Sequence, residues 1–124
     1  MKKLFLIGLM MLAGSAWAEW VLYSKSESNT FYYDTATIRK DGHIRRVWEI
    51  NDLSERRKDG EMSRRRRTEY DCKQERMRFL VITEHSEPMA SGEILVTSGE
   101  DKNWRDVPPD TVADKMLKLV CAQK

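Results

Sequence analysis

Apolar residues fall along this chain in three different periods. Leu4–Leu12 is an uninterrupted apolar run, preceded by Lys2 and Lys3 and followed by Ala16-Trp17-Ala18. A charged start, a short apolar core and a small-x-small end form the three-part pattern of a secretory signal peptide. The run is too short to span a bilayer, which takes about 20 apolar residues. A signal peptide is therefore expected over 1–18, and a single mature domain over 19–124.

Period two follows. Glu19–Ser24 and Asn29–Asp34 are short and rich in aromatics, as strands prefer. In His43–Asp52 the residues Ile44, Trp48 and Ile50 sit at even spacing, on one face of a strand that begins after an Asp41-Gly42 turn. Leu53–Met62 has many charges and no period, and is expected to be an exposed loop. Ser63–Cys72 is read as extended because of its neighbours. Arg76–Ser86 holds the most apolar stretch, Phe79–Ile82, which suits a central strand. Pro88 and Gly92 break the chain before a further strand at Glu93–Gly99. Glu100–Trp104 is read as turn or loop.

The last period is helical. Pro108 and Pro109 stop what precedes them. Thr111 to Asp114 fits a variant of the capping box. Val112, Ala113, Met116, Leu117, Leu119, Val120 and Cys121 then form one broad apolar side, with Asp114, Lys115 and Lys118 on the other. Lys118 and Lys124 lie toward the C-terminal end, where positive charge is favoured. The expected architecture is α+β, an antiparallel sheet covered on one face by one amphipathic C-terminal helix.

Cys72 and Cys121 are the only cysteines. An even number in a small exported domain points to a disulfide, and two cysteines allow one pairing. It would tie the helix to the strand end at Cys72. No C-x-x-C and no histidine at metal-ligand spacing accompanies them.

Charge is balanced overall but unevenly placed. Without Lys2 and Lys3 the mature chain carries 20 basic and 20 acidic side chains. Between Arg39 and Arg78 there are 14 Lys/Arg against 9 Asp/Glu, and the rest is acidic. A balanced total speaks against general nucleic-acid binding and leaves room for a local basic surface. No second apolar run implies a membrane span, and no cysteine beside the cleavage site implies a lipid anchor.

Catalytic and cofactor motifs are not found, so no enzyme, cofactor or metal is expected. His43 and His85 lie on different strands. Glu84, His85 and Ser86 are adjacent, so on a strand they point alternately to opposite faces and do not converge as a triad. The aromatics, Trp20, Tyr32, Tyr33, Trp48 and Trp104 among them, are expected in the core.

Several segments, in order and spacing, resemble the bacterial surface-adhesin protein E family. They are Tyr33-Asp34 with Thr37-Ile38, Trp48 before Asp52, Glu69-Tyr70-Asp71-Cys72, and Trp104 with Val107-Pro108 and Cys121. The resemblance implies about six antiparallel strands with a C-terminal helix held to them by a disulfide. It also implies a protein partner among host extracellular-matrix and serum proteins, such as vitronectin or laminin.

Ser63–Lys73 carries four consecutive arginines. If Cys72 points to the helix, period two places Tyr70, Thr68, Arg66 and Arg64 on its side. Arg65, Arg67, Glu69 and Asp71 then lie on the other. One reading is a solvated strand with cross-strand ion pairs. The other is a recognition surface in which Arg56, Arg57 and Lys58 join Arg64, Arg65, Arg66 and Arg67. The leading expectation is an exported binding domain, periplasmic or secreted and surface-associated. A periplasmic accessory or inhibitor-like domain is the alternative, and heparin-like polyanion binding a third.

Overall fold

The structure is a computed structural model and describes residues 18–99, 101 and 103–123. The expected signal peptide, Ala18 apart, lies outside the described residues, as does Lys124. The elements are β1 (Trp20–Lys25), β2 (Asn29–Asp34), β3 (Arg39–Asp41), β4 (Ile44–Leu53), β5 (Ser63–Asp71), β6 (Arg76–Glu87), β7 (Ser91–Ser98), β8 (Arg105–Asp106) and α1 (Val112–Cys121).

All strand pairs are antiparallel, in the order β1-β2-β4-β5-β6-β7. The short β3 and β8 pair with β4 and β6. Neither was expected as a strand, because two or three residues are too few to display a period.

Short acidic side chains set the connections. Asp34, which is buried, accepts from Ala36 N–H at 2.9 Å and Thr37 Oγ1 at 2.6 Å, closing the turn after β2. Asp71 accepts from Lys73 and Gln74 N–H at 3.0 and 3.1 Å, closing the turn into β6. Both are Asx turns, in which a carboxylate stands in for a backbone acceptor. Gly92 has φ 76°, and a Cβ there would meet Ser86 Oγ at 2.3 Å, so the β6–β7 connection needs a glycine.

The core lies between the sheet and α1. Tyr23, Tyr33, Val47 and Tyr70 from the sheet meet Met116, Leu117 and Val120 from the helix. Burying each of these side chains contributes about 1.5–3 kcal/mol. Thr111 caps the helix, its Oγ1 accepting from Asp114 N–H at 3.1 Å. The reciprocal bond expected of a capping box goes elsewhere, because the Asp114 carboxylate accepts from Asp110 N–H at 3.1 Å and Lys118 Nζ at 2.9 Å. Asp114 is thereby buried, although the helical wheel assigns it to the polar side. At the other end of α1, Cys121 is joined to Cys72 with their Cα atoms 5.7 Å apart. The expected α+β fold and its disulfide are both present.

Ile44, Trp48 and Ile50 share a face as expected, and it is the face away from the helix. Val47 and Glu49 face the helix instead. Glu49 is 1% exposed, and its carboxylate accepts from Tyr23 Oη at 2.5 Å and Tyr70 Oη at 2.8 Å. One expectation, about the aromatics, is corrected. Tyr33 is core, whereas Trp48 and Trp104 are half-buried beneath arginines, and Trp20 and Tyr32 are half-buried at one side of the sheet. A ten-residue helix covers one face only, so the other face recruits different cover.

Candidate functional site

The helix-free face is built from alternate residues of β4, β5 and β6. Directly opposed residues share a face, so the pairs Trp48↔Arg67, Ile50↔Arg65, Arg46↔Glu69, Glu69↔Arg78 and Asp71↔Arg76 lie side by side there. Arg65 and Arg67 both stack on Trp48, at 4.8 and 5.7 Å from the ring centre. Arg76 and Arg78 both stack on Trp104, at 4.8 and 4.4 Å. Between the two stacks, Glu69 accepts from Arg46 Nε and Arg78 Nε, each at 2.7 Å. The face thus presents five arginines around two indoles and two buried carboxylates, Glu69 and Asp71.

Electrostatics hold the frame and leave part of it open. Burial alone would raise the Glu69 carboxyl, but the bonds from Arg78 and Arg46 outweigh it and hold it below the usual range. Asp71 is held low in the same way, against burial, by the N–H groups of Gln74 and Lys73 and by Arg76 Nε at 3.1 Å. Arg46, Arg76 and Arg78 are thus each committed to a carboxylate. Among the described residues, Arg65 and Arg67 form no ion pair. Their guanidinium groups lie over the Trp48 ring, and no carboxylate among the described residues takes up their N–H donors.

The seven residues singled out in the sequence do not form one patch. Arg65 and Arg67 lie on the helix-free face, and Arg64 and Arg66 on the helix side, as period two requires. Arg64 is bound at the sheet's end by Glu61 at 3.0 Å and Glu84 at 2.7 Å. Asp59, Glu61 and Glu84 bring carboxylate oxygens within 4.8 Å of one another, and the Arg64 guanidinium is bonded to two of them. The Leu53–Met62 segment does fold beside the start of β5, its ends joined by Leu53 N–H to Met62 O at 2.9 Å. Arg56 there donates to Gly60 O and Ser86 O, Arg57 lies 3.6 Å from Glu61, and Lys58 is exposed. Residues 54–59 are exposed, Leu53, Gly60 and Met62 are half-buried, and Glu61 is 1% exposed.

Sequence reasoning missed Arg46, Arg76, Arg78 and Trp104. Alternation marks Arg76 and Arg78 as sharing a face, but the register that sets them beside Glu69 is a property of the sheet. The Glu84-His85-Ser86 triplet diverges as expected. Glu84 bonds Arg64 on the helix side, while His85 Nε2 lies 2.7 Å from Thr83 Oγ1 on the other.

The family model described as surface-adhesin protein E matches residues 20–122. The fold is similar to crystal structures of Haemophilus influenzae protein E. One has a TM-score of 0.69 at 16% identity, covering 87% of this chain and 91% of that one. A second has 0.68 at 15% identity, covering 87% of each. A third, from a non-typeable strain, has 0.58 at 16% identity, covering 87% of this chain and 78% of that one. At these identities the structures show a common fold. No curated protein matches the sequence.

Proposed function

The chain belongs to the surface-adhesin protein E family, and from that premise we propose an exported, non-enzymatic domain that binds another protein through the helix-free face of its sheet. The observation that carries this reading is the pair Arg65 and Arg67, stacked on Trp48 with no carboxylate partner among the described residues. A stacked guanidinium is already ordered, so it loses little conformational entropy when it meets an acceptor. Its fork of N–H donors matches a carboxylate in two-point geometry. The partner that fits is an acidic segment of a folded protein. Family membership makes host matrix and serum proteins, vitronectin and laminin first, the partners to test.

The test is binding of the mature domain to immobilised vitronectin, laminin and heparin, at rising salt, with Arg65→Gln/Arg67→Gln beside the parent. The expected result is protein binding that falls about tenfold or more in the double variant, with a shallower salt dependence. Unchanged affinity removes this face from the site. Binding to heparin alone replaces a protein partner with a polyanion. Protease accessibility on intact and on outer-membrane-permeabilised cells checks the location. Access only after permeabilisation would exclude adhesion and direct the search to envelope partners.

A further inference from the structure

A cavity of about 310 Å³ opens on the helix side of the sheet, beneath the first turn of α1. Its volume sits at the lower end of small-ligand pockets, roughly 300–1,000 Å³. Its wall combines an apolar surface (Phe31, Met77, Phe79) with Glu49, Arg66, the two tyrosines Tyr23 and Tyr70, and the helix residues Thr111, Val112 and Ala113. It lies on the opposite face from Trp48 and is independent of the surface proposed above.

The polar groups of this wall are unequally satisfied. Both Glu49 oxygens already accept a tyrosine hydroxyl. Burial alone would lower Arg66, but facing Glu49 holds it above its usual value, so it stays charged and balances that carboxylate. The Arg66 guanidinium lies over Phe79, 5.5 Å from the ring centre, and its enclosed Nε has no hydrogen-bond partner among the described residues. The first N–H groups of a helix have no intrahelical acceptor and carry the positive end of its dipole. Of these, Asp114 N–H is capped by Thr111, whereas Val112 and Ala113 border the cavity. The unmet demand is therefore for an acceptor, and a negative one binds a guanidinium most strongly. Arg66 is the one cationic side chain of this wall, so an acceptor bound in the cavity meets its guanidinium edge.

We propose that this cavity binds a small apolar monocarboxylate, its carboxylate held by Arg66 and the first turn of α1, its apolar body against Phe31, Met77 and Phe79. Both Glu49 oxygens are taken up by tyrosine hydroxyls, which leaves Arg66 and the first turn of α1 as the donors that face a ligand. With a single cation beside Glu49, the wall suits one negative charge rather than a phosphate-like dianion.

The experiment is an NMR titration of the mature, oxidised domain with hexanoate and phenylacetate, and with hexanol and 2-phenylethanol as neutral controls. The acids are expected to give saturable shifts at the Val112 and Ala113 amides and at the Arg66 Nε–H, with the alcohols at least about tenfold weaker. Arg66→Gln should abolish the shifts. Ala113→Phe, which fills the mouth and keeps every charge, should do the same and serves if Arg66→Gln fails to fold. Arg65→Gln/Arg67→Gln should change nothing, which separates this site from the surface on the other face. No saturation by about 10 mM acid, alcohols that match the acids, or binding that persists in Ala113→Phe would overturn the proposal.

Discussion

The guanidinium of Arg65 lies 4.8 Å from the centre of the Trp48 ring, on the face that the helix leaves uncovered. Arg67 approaches the same ring at 5.7 Å. One indole thus orders two cations that would otherwise repel each other. Each half-buried cation–π contact contributes about 0.5–1 kcal/mol. Trp48→Leu keeps apolar bulk and removes the ring quadrupole, so it is expected to cost about 1–2 kcal/mol in urea denaturation. Binding of the proposed acidic partner should weaken in parallel. A variant as stable as the parent would show that the arginines are held by something other than the indole.

The Cys72–Cys121 bond closes a segment of 49 residues in sequence separation. In the chain-entropy account, losing it costs about 4 kcal/mol, a large share of the stability of a small domain. Cys72→Ser/Cys121→Ser should therefore lower the denaturation midpoint sharply. A loss under about 1 kcal/mol would contradict this assignment of the stability.

Stability should depend on pH in two steps. Burial, and then Arg65, hold the His85 imidazole below its ordinary value in the folded state. Its contribution is complete above the unfolded value of about 6.5 and is lost as pH falls through the folded value. Glu69 and Asp71 are also held low, so their contribution is complete above about pH 4 and is lost below it. Denaturation midpoints should be flat above about pH 6.5, fall gently below it, and fall steeply below about pH 4. His85→Gln should remove the first step, and Glu69→Gln should shrink the second. A midpoint that rose on acidification would reverse the sign of this linkage.

Thr68 is wholly buried on β5, and its Oγ1 has no hydrogen-bond partner among the described residues. Thr68→Val keeps the shape and removes a desolvated hydroxyl. The expected effect is a gain of about 1 kcal/mol. A loss of stability on calorimetry would mean that the hydroxyl is bonded in the folded protein.

Legibility in the sequence followed the range of each interaction. The turn at Gly42, the cap at Thr111 and the apolar side of α1 depend on neighbours within a few residues, and all were readable, whereas the turns closed by Asp34 and Asp71 were not picked out. Division of the arginines into Arg64 and Arg66 against Arg65 and Arg67 needed only period two and the disulfide. What remained hidden was register. The arrangement of Arg46, Glu69 and Arg78 joins three strands, and a bulge in β6 shifts the partners of Arg67 and Thr68 from Val81 to Phe79. Trp104 reaches Arg76 and Arg78 from a segment far along the chain. Glu49 and Glu61 look like surface residues in a charged sequence, and both are buried because hydroxyls or guanidinium groups meet them.

The disulfide has a further consequence outside folding. Every residue between Cys72 and Cys121 lies inside one covalent ring, including the exposed Pro88 and Met89 of the β6–β7 turn. A protease that cuts once within that ring releases nothing, because the two fragments stay joined through sulfur while sheet pairing and the helix hold them in register. Such a nick would show as one band on a non-reducing gel and two on a reducing gel. Wherever peptidases reach it, the oxidised domain can be cut there once and remain a single molecule.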